Sequence, residues 1–319
     1  MVTIDLITGF LGSGKTTFLK KYAEYLMDQG LHIGILENDF GAINVDMLIL
    51  HELRGDQCEL EMIAGGCDAE SHRRRFRTKL ISMRMCGYDR VLVEPSGIYD
   101  VDEFFDVLRE EPLDQWYEIG NVIAILDARL EDPLSEQADY LLASEAANAG
   151  KVILSHADAA TRKQCEDTVA HLNRALEEIR CDRRIDSEKD ILQTDLTDLT
   201  KEALEEVSKC GYRLESYRKM DLENGQSFDS LFFMEEKITS EALERAVPRL
   251  FADKSCGEVF RIKGFVKNKD GQWMELNATH DSRTLDPIAV GQEVLIVIGE
   301  HLQEDKIREI LKEEETCQS

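Results

Sequence analysis

A chain of 319 residues with 43% hydrophobic side chains is long enough for two domains with ordinary cores. Its 64 acidic residues against 38 basic give a formal charge of −26, a field that repels nucleic acid and anionic membrane surfaces and argues against both as partners. No apolar run approaches the ~20 residues of a membrane span, the first residues enter a strand without a signal pattern, and eight cysteines lie scattered without a paired framework, so a cytoplasmic, reducing location is expected.

The first element is an apolar strand over 2–8. It runs into Gly9-Phe10-Leu11-Gly12-Ser13-Gly14-Lys15-Thr16-Thr17, which holds the G-x-x-x-x-G-K-[ST] pattern of a phosphate-binding loop. Gly12, Ser13 and Gly14 allow a tight turn with inward N–H groups, Lys15 reaches the outer phosphates, and the Thr16 hydroxyl is placed for Mg²⁺. The i, i+3, i+4 apolar spacing that follows predicts a helix over 15–29 whose N-terminus aims its dipole at the anion. A second strand over 31–37 ends at Glu37-Asn38-Asp39. A helix over 70–86 carries the basic run His72 to Arg77, expected to be a solvated face. The strand over 89–94 ends at Glu94, a carboxylate suited to hold Mg²⁺ through water or to position an attacking water.

Beyond it, helices are expected near 101–110, 134–148, 159–180 and 197–210, with strands near 119–127, 151–155 and 190–193. This alternation predicts an α/β, three-layer, mainly parallel sheet with ligands at the carboxyl ends of the strands. The domain boundaries read as 1–214, a polar linker over 215–228 containing Asn224-Gly225-Gln226-Ser227, and a smaller α+β domain over 229–319. In that last part strands are expected near 229–235, 258–266, 272–278 and 293–298, and helices near 239–251 and 303–315.

Four segments in order, Thr8 to Thr17, Glu37 to Asp46, Glu94-Pro95-Ser96-Gly97 and Arg261 to Val266, make the chain similar to the CobW-like metallochaperone GTPases, relatives of the nickel-insertion GTPases of hydrogenase and urease maturation. The resemblance implies a P-loop NTPase fold, GTP/GDP and Mg²⁺ as ligands, and a client metalloprotein as partner. It implies Lys15, Asp39 and Glu94 as catalytic groups, and a Gly97 N–H that senses the γ-phosphate.

Two motifs depart from the family pattern. Where it carries N-K-x-D, this chain reads Ser155-His156-Ala157-Asp158. Asp158 keeps the carboxylate that accepts from guanine N1–H and its exocyclic amine, and His156 replaces the lysine that lies on the base. Where the family carries G-C-x-C-C, this chain reads Gly66-Cys67-Asp68-Ala69-Glu70. That leaves Cys67 and Glu37 as the transition-metal candidates, for Zn²⁺ or a similar ion, with Glu70, Cys58 and His72 as possible helpers. The expected function is a slow, Mg²⁺-dependent GTPase switch in metal delivery or metalloenzyme maturation. A nucleotide-gated protein-binding switch with little hydrolysis and no metal cargo is the alternative, and a P-loop small-molecule kinase a third reading.

Overall fold

The sheet that carries the phosphate loop is built almost wholly from apolar runs buried on both faces, the pattern expected of a parallel sheet between helical layers. A computed structural model describes residues 1–39, 49–64, 69–96, 101–130, 132–220, 229–234, 238–280, 282–288, 291 and 293–316, the side chains of 38, 39, 64, 69 and 229 excepted. It divides into two compact units, Met1–Met220 and Asp221–Ser319.

The first unit runs β1 (Val2–Thr8), α1 (Lys15–Asp28), β2 (Ile33–Asp39), β3 (Cys58–Ala64), α2 (Ala69–Arg84), β4 (Arg90–Pro95), α3 (Val101–Leu108), β5 (Tyr117–Asp127), α4 (Glu136–Ala147), β6 (Lys151–Ser155), α5 (Arg162–Glu178), β7 (Ile191–Gln193) and α6 (Lys201–Val207). Its seven strands are all parallel, in the order β3-β2-β4-β1-β5-β6-β7. One face packs α1 and α6 through Phe18, Leu19, Tyr22, Leu204 and Val207 onto Ile7, Ile35, Leu92, Ile125 and Ile153.

A buried polar knot fixes the register of the elements that carry the loop. Asp5, in the middle of β1, accepts from Tyr22 Oη at 2.8 Å and from the Asn121 N–H at 2.8 Å, and pairs with Arg90 Nε at 2.8 Å. Burial pushes the Asp5 carboxyl up, opposed by Arg90 and these hydrogen bonds. β1, β4, β5 and α1 are thereby tied together below the site.

The sequence expectation missed β3. Its alternation of Glu59 and Glu61 with Leu60 and Met62 gives no continuous apolar run, because β3 is an edge strand. The basic run on α2 is also less solvated than expected. His72 and Phe76, four apart, are buried, while Arg73 and Arg77 both pair with Glu110. Residues 215–220 lie with the first unit: the Glu215 N–H donates to Asn148 Oδ1 at 3.0 Å and the Arg218 N–H to Ile179 O at 2.7 Å.

The second unit comprises β8 (Asp229–Met234), α7 (Ser240–Ala252), β9 (Glu258–Lys267), β10 (Trp273–Thr279), β11 (Arg283–Pro287), β12 (Val294–Glu300) and α8 (Glu304–Thr316). Its antiparallel sheet has the order β11-β10-β9-β12-β8. The two helices pack on it through Leu243, Val247, Ile307 and Leu311. They are joined by Arg245 and Arg249 on Glu314. The sequence gives no apolar signal for β11, whose residues stay largely exposed at the sheet edge.

Candidate nucleotide and cation site

The loop between β1 and α1 owes its path to glycines in backbone conformations that other residues avoid. Gly9 has φ +145°, Gly12 +78° and Gly14 +91°. A Cβ on Gly9 would sit 2.1 Å from the Ile125 carbonyl oxygen, so the loop lies directly on β5. A Cβ on Gly14 would meet Leu196 Cδ1 at 2.6 Å, which brings the segment after β7 against the start of α1. Lys15, only 6% exposed, donates from Nζ to the Gly9 carbonyl at 2.8 Å. Ser13 Oγ is buried with no hydrogen-bond partner among the described residues, a polar orphan of the sort that a phosphate or a cation-bound water satisfies.

Thr16 Oγ1 donates to Glu94 Oε1 at 2.8 Å, joining the first turn of α1 to the end of β4. Glu37 stands in register with Glu94 on the neighbouring strand β2. Both carboxylates are buried, at 2% and 4% exposure. In-register residues of parallel strands point to the same face about 4.8 Å apart. Two such acids beside a threonine hydroxyl and the N-terminus of a helix form an all-oxygen donor set of the kind hard divalent cations take. The residues present fit Mg²⁺.

At the base end, β5 and β6 finish side by side at Asp127 and Ser155. His156 takes φ +53° and sets Nδ1 2.9 Å from Asp127 Oδ2. Burial raises the Asp127 carboxyl, but hydrogen bonds from His156 and from the Arg129 side chain and N–H outweigh it and hold it below the ordinary value. Asp158 is exposed on the turn after β6, with no recorded side-chain partner among the described residues. Asp195, after β7, caps a short 3₁₀ turn by accepting from the Thr197 N–H at 2.8 Å.

Of the expected site residues, Gly12, Ser13, Gly14, Lys15, Thr16, Thr17, Glu37 and Glu94 converge at the loop, and His156 and Asp158 lie together on the turn after β6. Asp39 is the last residue of β2, and its side chain lies outside the described part. Cys67 and Gly97 also lie outside the described residues. The possible helpers do not gather. Cys58 opens β3 in register with Ile33, four residues or roughly 13 Å along the strand from Glu37. Its thiol is buried and pushed up to about 11 by that burial. His72 is buried 3.3 Å from Glu103 on α3, and Glu70 is exposed on α2.

Sequence reasoning overlooked three residues here. Asp127 ends an apolar strand as Glu94 does, a signal that was legible. Leu196 over Gly14 is a long-range contact without one. Glu145, on α4, is 1% exposed with neither carboxylate oxygen hydrogen-bonded among the described residues. Burial pushes its carboxyl up to about 8, against the field of Lys15.

The chain matches the CobW/HypB/UreG nucleotide-binding domain over residues 3–185 and the cobalamin synthesis protein cobW C-terminal domain over residues 230–314. It is 29% identical over 185 residues to the zinc chaperone YjiA of Escherichia coli strain K12, covering 54% of this chain and 55% of that one. With the zinc chaperone YeiR of the same organism it is 31% identical over 131 residues, 41% of this chain and 39% of that one. The chain thus aligns with about half, or less, of the length of these relatives. The crystal structure of Zn(II)-bound YjiA GTPase from E. coli superposes with a TM-score of 0.38 at 18% identity, covering 98% of each chain. With its nucleotide-binding domain matched over more than half its length, the chain belongs to the CobW/HypB/UreG family.

Proposed function

We propose that this protein is a Mg²⁺-dependent GTP-binding switch that hydrolyses GTP slowly and gates the delivery of a transition metal to a client metalloprotein. The observation that carries the reading is the Thr16–Glu94 hydrogen bond beside the in-register Glu37, at the helix end where the phosphate loop closes. The relatives' description as zinc chaperones supports a metal cargo.

Lys15 exchanges the Gly9 carbonyl for the outer phosphate oxygens, placing a full positive charge where negative charge builds during phosphoryl transfer. The N–H groups at the start of α1 receive the phosphates along the helix dipole. Thr16 and Glu94 would hold Mg²⁺, which supplies charge neutralisation of the phosphates when bound. Glu94 and Asp39 orient the attacking water, so the chemistry needs no covalent nucleophile. Asp158 accepts from guanine N1–H and the exocyclic amine, and His156, braced by Asp127, offers a ring for the base to stack on. Cys67 and Glu37 are the groups for the cargo metal.

A second reading, a switch that binds a protein partner with little turnover, is favoured by the single thiol in Gly66-Cys67-Asp68-Ala69-Glu70. The deciding experiment compares GTP and ATP binding with and without Mg²⁺ and follows phosphate release in the same sample, for the wild type and Lys15→Ala. The GTPase reading expects GTP preference, Mg²⁺-dependent release, and loss of both tight binding and release in the variant. GTP binding without release supports the second reading, and wild-type affinity in Lys15→Ala removes both.

A further inference from the structure

We infer that the outer edge of β3, with the basic groove beside it, is a docking site for an acidic segment of a partner protein that binds in extended conformation as an added strand. The inference is independent of the nucleotide reading, since none of the groups it uses belongs to the phosphate loop.

β3 ends the seven-stranded sheet and pairs only with β2 among the strands of its unit. Which of its main-chain groups remain outward follows from the register. The Ile33 N–H donates to Gln57 O at 2.9 Å, with Ile33 opposite Cys58. In a parallel ladder the bonding residues alternate, so 57, 59, 61 and 63 turn their N–H and C=O toward β2. Cys58, Leu60 and Met62 turn theirs away. Cys58 is covered, because it exchanges both main-chain bonds with Gly55 at 3.0 and 3.3 Å. Among the described residues of this unit, Leu60 and Met62 have no recorded main-chain partner on that side. Met62 is 37% exposed, one of the few large apolar side chains that are.

Open sheet edges invite pairing with another chain, and what surrounds the edge selects the partner. Here a groove of about 520 Å³ runs between Met62 and Ile63 on β3 and Arg74, Arg75, Thr78 and Lys79 on α2. α2 carries five arginines and one lysine against one glutamate, Glu70. Arg73 and Arg77 are held by Glu110 and Lys79 by Glu61 at 2.7 Å, while Arg74 is exposed. In a protein of net charge −26, this is a local cationic strip flanking the open edge of β3. An extended segment with acidic side chains at alternate positions meets both: its main chain bonds Leu60 and Met62, and a carboxylate reaches Arg74.

The test is fluorescence anisotropy of a labelled peptide of alternating valine and glutamate, and of its valine–lysine counterpart, titrated with the full chain at low and high salt. Binding of the acidic peptide that weakens with salt is expected, with the basic one at least tenfold weaker. Met62→Pro should lower affinity tenfold or more. Proline there removes an outward donor and no bond to β2, and proline is tolerated at such positions on edge strands. Arg74→Glu should lower it by a similar factor through charge. Circular dichroism and urea unfolding, unchanged in Arg74→Glu, show that the fold is intact even if Met62→Pro is not. Equal binding of the two peptides, or wild-type affinity in folded variants, overturns the proposal. So does sedimentation showing that the edge joins two copies of this chain while neither peptide binds.

Discussion

Replacing Glu145 by glutamine should make the protein more stable at alkaline pH, an unusual effect for losing an acid. Glu145, on α4, is 1% exposed with neither oxygen hydrogen-bonded among the described residues, and burial raises its carboxyl from 4.5 to about 8. Between those values the folded protein binds more protons than the unfolded chain, so unfolding free energy falls as pH rises and levels off above about 8. The interval corresponds to a loss on the order of 4 to 5 kcal/mol at most. Glutamine keeps the shape and cannot ionise. Urea unfolding of both proteins from pH 5 to 9 isolates the effect, because every other titrating group is common to both. The expected difference favours the variant increasingly with pH and is constant above about pH 8. Parallel curves throughout would mean that Glu145 finds a partner or water that stabilises its charge, and would refute the reasoning.

Gly9→Ala should cost at least ~3 kcal/mol in urea unfolding and abolish nucleotide binding, since φ +145° is strained for alanine and the added Cβ meets the Ile125 carbonyl at 2.1 Å. Asp158→Ala should erase a GTP-over-ATP preference, a loss of about 1–3 kcal/mol in competition binding. Equal affinities in the wild type would refute the guanine assignment. Cys67→Ser should weaken Zn²⁺ binding and remove its coupling to a non-hydrolysable GTP analogue, typically about 1–3 kcal/mol. Titrations unchanged by variant or analogue would make Cys67 structural.

What was legible in the sequence was local. The phosphate loop, the strand-end acids Glu37 and Glu94 and the α/β order each show within a dozen residues, because the chemistry needs adjacent residue types. β3 was not legible: as an edge strand it carries Glu59 and Glu61, anchored by Tyr88 and Lys79, where a central strand would carry valines. Glu145 looked like one more helical acid. Its burial follows from its place in the run Tyr140 to Ala147, whose other residues are small or apolar and which is buried throughout, a pattern of a helix covered on every side. His156 on Asp127 and Leu196 over Gly14 are made by strands ending at a common level, a property of the assembled sheet.

The hydrogen bond from Thr16 to Glu94 bears on how the proposed site would work, because a hydroxyl donates through hydrogen while its oxygen lone pairs stay available. The donor–acceptor pair therefore need not break for Thr16 to ligate a cation. The bond to Glu94 constrains the rotamer of Thr16, as a hydrogen-bonded carboxylate orients a neighbouring ligand elsewhere. Lys15 is different. Its ammonium already donates to Gly9, so phosphate binding is an exchange whose gain is the difference between a neutral carbonyl and an anionic oxygen, and charge-assisted hydrogen bonds are about twice as strong as neutral ones. Gly9 thus serves twice: its φ lets the loop lie on β5, and its carbonyl holds Lys15 at the loop's centre, which spares the triphosphate much of the entropy of ordering that side chain.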